Sequence, residues 1–251
     1  MSEQRWLRSY LPRSQAEAQL ICFPHAGGAM SAFRGWAELA GPSLDVLAVQ
    51  YPGRQDRYAD PLPADIGELA DQIVPEIRPL LGRPTALFGH SMGATVAFEV
   101  ARRLRPRFPS PLLRLFVSAC DAPPARTPRA TARGDAEIRD YVRDLGGAAA
   151  SALEDDEMWQ LALPSLRHDF HLVETYRYVP GAPLTCPVTA IAGDRDETVT
   201  LADVQRWKEV AVGEFEAHSL PGGHFYPDES LPDLIALLRN RLTAARSAST
   251  T

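Results

Sequence analysis

One stretch of this chain restricts the fold more than any other: Thr85-Ala86-Leu87-Phe88-Gly89-His90-Ser91-Met92-Gly93-Ala94-Thr95-Val96-Ala97-Phe98. It reads as a short apolar strand, a turn with glycines two residues either side of a serine, and then an amphipathic helix. Such a turn lifts the Ser91 hydroxyl above a sheet only if nothing crowds it, and the glycines at 89 and 93 leave the room. The helix that begins at Met92 aims its free N–H groups and positive dipole end at the same spot. Alone, the pattern G-x-S-x-G arises by chance in roughly one chain in ten of this length. The rest of the chain has to decide its meaning.

With 251 residues, 45% of them hydrophobic, the chain suits one large α/β domain with a core that needs no disulfide or metal. The net charge of −6 and scattered arginines, interleaved with acids, leave no nucleic-acid footprint. Met1–Gln19 carries charges throughout and does not read as a signal peptide, and no apolar run reaches membrane-spanning length. Cys22, Cys120 and Cys186 are far apart, each on or beside an expected strand, as buried reduced thiols of a cytoplasmic protein would be.

Apolar runs mark strands at Leu20–Phe23, Leu44–Val49, Leu112–Ser118, Val188–Ala192 and Phe215–Leu220, besides the one that leads to Ser91. Between them helices are expected from Ser31 to Leu39, from Asp65 (paired with Glu68 as a cap) to about Leu81 with a kink or break at Pro75, near Leu201–Glu209, and from Ser230 to Ala244. Residues 247–251 read as a disordered tail. Alternating strands and helices predict a mostly parallel, doubly wound sheet with its site beyond the strand C-termini. From 123 to 178 no strand is expected. Two helical stretches, Asp135–Leu145 and Asp155–Tyr178 (broken near Pro164), flank a mobile-looking Gly146–Ala150. A crossover needs only a dozen or more residues, so this segment reads as an inserted helical lid on a single domain spanning 1–251.

A serine hydroxyl is a poor nucleophile until a base takes its proton, and the base needs a carboxylate to fix its tautomer. Four histidines follow Ser91: His168 and His171 in the lid stretch, His218 inside a strand, and His224 in the glycine loop Pro221-Gly222-Gly223-His224-Phe225 after the last strand. His224 is the expected base. The acid should follow the preceding strand, in Gly193-Asp194-Arg195-Asp196-Glu197. Asp194 suits the turn itself, and Asp196 is better placed to curl back toward His224. The oxyanion formed by attack needs two donors: the N–H of Met92, next after the nucleophile, and one from the early loop His25-Ala26-Gly27-Gly28, assigned to Ala26. His25 and His90 flank the site with oxyanion-side or structural roles.

Taken together, Phe23-Pro24-His25-Ala26-Gly27-Gly28, Tyr51-Pro52-Gly53-Arg54, Gly89-His90-Ser91-Met92-Gly93, Gly193-Asp194-Arg195-Asp196, Gly222-Gly223-His224-Phe225 and the lid stretch Leu163–Phe170 with Glu174-Thr175-Tyr176 resemble the type II thioesterases. These are stand-alone editing enzymes of polyketide and nonribosomal-peptide assembly lines, built on the α/β-hydrolase fold. The resemblance covers roughly residues 19–240. It implies a triad of Ser91, Asp196 and His224, an oxyanion hole from the amides of Ala26 and Met92, no metal or organic cofactor, and a cytoplasmic monomer. It also implies the substrate: acyl thioesters on the phosphopantetheine arm of acyl or peptidyl carrier proteins. His168 departs from the family, which has a small residue there, and bears on the shape of the acyl pocket. Rival readings are a general carboxylesterase, an acyltransferase or cyclase on the same fold, and a non-catalytic binding module.

Overall fold

The computed structural model describes residues 5–104, 110–128 and 133–249. In chain order they form β1 (Leu7–Arg8), β2 (Ala18–Phe23), α1 (Trp36–Leu39), β3 (Leu44–Val49), α2 (Ile66–Ile77), β4 (Thr85–His90), α3 (Met92–Leu104), β5 (Arg114–Ser118), α4 (Asp135–Leu145), α5 (Gly147–Ala152), α6 (Asp156–Thr175), β6 (Val188–Gly193), α7 (Leu201–Gln205), β7 (Phe215–Leu220) and α8 (Tyr226–Ser249). Among the described residues one seven-stranded sheet runs β1-β3-β2-β4-β5-β6-β7. Every neighbouring pair is parallel except β1 with β3.

The strand order explains where the site lies. From β2 the chain steps outward to β3, then crosses to β4 on the other side of β2. The loops leaving β2 and β4 therefore diverge to opposite faces and open a crevice at the strand C-termini, as in other doubly wound sheets. The loop after β2 carries Ala26, and the turn after β4 carries Ser91. Strands β2, β4, β5 and β6 are buried at every residue, as two-sided coverage requires. One face packs with α2, α3 and Trp207, the other with α1, α8 and the ring cluster Phe33, Trp36 and Phe88. Each such fully buried aromatic side chain contributes about 2–3 kcal/mol.

Several elements differ from expectation. The helix expected from Ser31 is a 3-10 turn, Met30–Phe33, followed by α1; Ala29 holds the cap position and Ser31 caps nothing. The Asp65 cap forms, accepting from Glu68 N at 2.8 Å, but α2 passes Pro75 and tightens to a 3-10 turn only at Arg78. Pro164 likewise leaves α6 unbroken. The reason is shared: both prolines and the residues four before them, Asp71 and Gln160, are exposed, so the carbonyl that loses its N–H partner is hydrated instead. Gly146–Ala150 is not an open linker. Gly146 and Gly147 turn with positive φ, and the alanines after them form α5. Helix α7 stops at Gln205, with a 3-10 turn over Arg206–Val210. Helix α8 starts earlier than expected, at Tyr226, is interrupted at Ser230 and runs to Ser249. Of the expected tail, residues 247–249 are thus helical, and Thr250 and Thr251 lie outside the described residues. No helix among the described residues is long and apolar enough to cross a membrane.

Candidate active site

Ser91 has φ = 54°, the left-handed region, which costs a residue with a side chain about 1–3 kcal/mol. The surroundings hold it there. Ser91 N donates to Ser118 O at 2.8 Å, tying the turn to the end of β5. A Cβ on Gly89 would stand 2.2 Å from Gly93 O, and one on Gly93 would stand 2.0 Å from Phe23 O. Neither close approach tolerates a side chain, so the two glycines allow α3 to start directly against β4 and β2.

The acid and histidine loops are laced together. Asp194 N donates to Leu220 O, Arg195 N to Gly222 O, and Asp194 Oδ1 accepts from Gly222 N at 2.9 Å. Asp194 is thus bonded into the turn. Asp196 reaches the imidazole: its Oδ2 lies 2.9 Å from His224 Nδ1, with both side chains nearly fully buried. The other oxygen, Oδ1, accepts from Thr198 N (2.8 Å), Thr198 Oγ1 (2.7 Å) and Val199 N (3.1 Å). Burial alone would raise the Asp196 pKa, but the hydrogen bonds from His224 and Thr198 prevail and hold the carboxyl below its ordinary value. An ionised Asp196 can only accept, so His224 Nδ1 is the donor of this bond and Nε2 is the ring nitrogen left to act on the site. That atom is buried and has no hydrogen-bond partner among the described residues.

Ser91, Met92, Ala26 and His224 share the wall of a cavity of about 420 Å³, closed on the other side by Tyr141, Leu145, Leu166 and Phe170 of α4 and α6. The structure therefore brings all five sequence-derived site residues to one place, Asp196 behind His224 and the other four facing the space. Beyond the loop that follows β2 lies a second cavity of about 730 Å³, walled by Phe33, Trp36 and Phe88. The two meet at His25 and Phe225.

His25 and His90 support the site from the side. His90 Nδ1 is 2.8 Å from Ser118 Oγ, which is in turn 2.6 Å from Tyr226 Oη; its ring centroid lies 5.4 Å from that of His224. Burial, then the proximity of His224, pushes His25 down to about 4 and His90 well below the ordinary histidine value. Both stay neutral near pH 7, so a proton taken up by His224 meets no second imidazolium. His218 lies on β7, the last strand of the sheet, beside Glu216 at 3.1 Å. His168 lines neither cavity, so the departure noted there does not shape the acyl pocket. The three cysteines are unpaired and buried, with burial raising each thiol. Among the described residues no group of three or more His, Cys, Asp or Glu side chains could hold a metal ion.

Two features escaped the sequence reading. Arg54 and Asp169, both buried, form a two-pronged ion pair (2.7 and 2.8 Å), and Asp169 also accepts from Gly27 N. They are 115 residues apart, and no local spacing signals the pairing. Asp121, three residues past β5, lines the 420 Å³ cavity. Burial, opposed by Arg126, raises its pKa.

A parallel sheet with a strained serine between β4 and α3, and an Asp–His pair after β6 and β7, defines an α/β-hydrolase fold. The chain belongs to the thioesterase-domain family, which matches residues 18–242, and it is a hydrolase of thioester bonds. It is similar to thioesterase PikA5 of Streptomyces venezuelae, 40% identical over 97% of this chain and 87% of the relative. Gramicidin S biosynthesis protein GrsT of Aneurinibacillus migulanus is 34% identical, covering 95% and 94%. Among solved structures, the type II thioesterase BorB from the borrelidin biosynthetic cluster superposes with a TM-score of 0.85 at 43% identity, covering 94% of this chain and 97% of that one.

Proposed function

We propose that the enzyme hydrolyses acyl groups held as thioesters on the phosphopantetheine arm of carrier proteins, clearing stalled or aberrant chains in polyketide or nonribosomal-peptide synthesis. Ser91, His224 and Asp196 act as the triad, and the amides of Ala26 and Met92 act as the oxyanion hole. The observation that carries this reading is the Asp196–His224 hydrogen bond through Nδ1, which leaves Nε2 without a hydrogen-bond partner in a buried site beside the Ser91 cavity.

In the first half-reaction Ser91 Oγ attacks the thioester carbonyl carbon while its proton passes to His224 Nε2. The carbonyl electrons move onto oxygen, where the two N–H groups stabilise them. The C–S bond breaks, His224 returns the proton to the departing sulfur, and an acyl-serine remains. In the second half-reaction water gives a proton to His224 and attacks the ester, releasing the acid and restoring Ser91. Asp196 stays ionised throughout and holds the imidazole. Side chains, two backbone N–H groups and water supply every group in this sequence, so no cofactor enters it.

The segment between β5 and β6 acts as the lid of a single domain: α4, α5 and α6 share one apolar cluster through Ile138, Ala150, Trp159, Leu163 and Phe170 and roof the cavity. That GrsT is a gramicidin S biosynthesis protein and BorB a type II thioesterase from a biosynthetic cluster supports a role in such a pathway. Mass spectrometry after mixing with acyl-loaded carrier protein tests the reading: it predicts a transient acyl adduct on the Ser91 peptide and free acid as product. Transfer of the acyl group to an alcohol or amine in preference to water would favour the acyltransferase alternative.

A further inference from the structure

The Arg54–Asp169 pair is among the most enclosed ionic groups in the molecule: the side chains are 7% and 1% exposed. A buried ion pair is often no more stabilising than apolar residues of the same volume, so its value has to be sought in what it orients. Its bonds converge on the loop after β2. Gly27 N donates to Asp169 Oδ2 at 2.7 Å and Arg54 Nη1 donates to Gly28 O at 2.9 Å, and the residues so held form a backbone turn in which Gly28 N donates to His25 O at 2.9 Å. Each bond fixes a different peptide plane. The last fixes the plane that contains both the His25 carbonyl and the Ala26 N–H, which point in opposite directions across a trans peptide. With His25 O tied back to Gly28, the Ala26 N–H has one direction left. Gly27 itself has φ = 73°, and a Cβ there would stand 2.4 Å from Leu166 Cδ2. Leu166 and Asp169 are three apart on α6, hence neighbours on one face.

We propose that Asp169, held by Arg54, is a positioning residue for the oxyanion hole: it fixes the loop that aims the Ala26 N–H, and it does so only while α6 is seated over Gly27. The inference rests on the assignment of Ala26 as an oxyanion donor and extends it, because the same helix that roofs the acyl cavity completes the donor loop. If α6 lifts, the Gly27 N–H loses its acceptor and Arg54 its anion together. Catalytic competence and closure over the acyl group then become one event.

The test compares two apolarised pairs. Arg54→Met with Asp169→Asn removes both charges but keeps a side-chain oxygen for Gly27 N. Arg54→Met with Asp169→Leu removes the acceptor too, and Asp169→Ser, too short to reach Gly27, replaces the leucine change if that protein does not fold. With a small acyl thioester, the acceptor-less pair should show a kcat about 30–100-fold below the asparagine pair, somewhat less than the ~10²–10³-fold cost of removing an oxyanion donor outright, at KM values within about threefold. Inhibition by an alkylboronic acid, whose tetrahedral adduct on Ser91 occupies the hole, should weaken by the same factor. Equal kcat in the two pairs, or a difference confined to KM, would overturn the proposal. Replacing Ala26 by lactic acid, which turns its N–H into an ester oxygen, separates the two layers. If that change abolishes turnover while the pairs remain equal, the donor assignment stands and only the positioning role fails. If it leaves turnover intact, the donor assignment itself fails.

Discussion

The turn at Ser91 and the helical segment over it are built in opposite ways. The turn is fixed by backbone against backbone: two glycines within contact distance of carbonyl groups on neighbouring elements, with β2 and β5 paired on either side of β4. The segment α4–α6 has its own small apolar cluster and leaves Met158 and Leu161 about half exposed, at 47% and 59%. Side chains fasten it to the rest: Leu172 near the end of α6 packs into the main core, Asp169 bonds to Arg54 and Gly27 N, and just past α6 Tyr176 Oη donates to Glu99 at 2.7 Å. Reacting atoms that must meet within tenths of an ångström sit on the part that cannot move. Substrate contacts, which must admit chains of different shape, sit on the part held by a few separable bonds.

The largest expected effect lies in the fixed part. Ser91→Ala should lower kcat by at least ~10⁴-fold and leave only what the oxyanion hole and binding supply. Asp196→Asn should cost a comparable ~10³–10⁴-fold with the melting temperature nearly unchanged. Asp194→Ala, which removes the bond to Gly222 N and an exposed contact with Arg195, should change kcat by less than about tenfold and lower stability by roughly 1 kcal/mol. Steady-state kinetics and thermal melts of the three variants check the ranking, and the reverse order of the two acids would move the catalytic carboxylate to position 194.

Next come the glycines, which set the two regions against each other directly. Gly93→Ala places a Cβ against the Phe23 carbonyl and should lower the melting temperature by more than ~10 °C or prevent folding. Gly146→Ala, with φ = 71° and ψ = −153° but no atom within 4 Å of the new carbon, meets only backbone strain and should cost about 1–3 kcal/mol, less than the change at Gly93. Similar losses at both sites would mean that the turn is not held by close backbone contact.

What was legible in the sequence follows the same division. The elbow, the choice of Asp196 over Asp194 and the choice of His224 over His168, His171 and His218 rest on local spacing from a strand end, which a linear reading can measure. The short edge strand β1 was not legible, because two residues carry no periodicity. Neither Pro75 nor Pro164 breaks its helix, because the freed carbonyl can reach water at both places, and exposure is a tertiary property that local sequence does not show. The Arg54–Asp169–Gly27 junction joins three distant segments, visible in the sequence only as motif residues without a stated task.

A smaller effect separates the regions in time. Amide hydrogen exchange should be faster across α5 and the start of α6 than in Thr85–His90, because the former has little buried area to lose on opening. Equal protection would make the helical segment an integral part of the core, and substrate would need another entrance.

The central claim, that the natural substrate is an acyl group on a carrier protein, is tested most directly by kcat/KM for one short acyl group on three thiols: phosphopantetheinylated carrier protein, coenzyme A and a small thioester mimic. Contacts remote from the reacting carbonyl are expressed in the rate as well as in binding, so the carrier protein should be hydrolysed with the highest kcat/KM, by at least about tenfold. Equal values for all three would contradict the claim and leave a hydrolase of free thioesters.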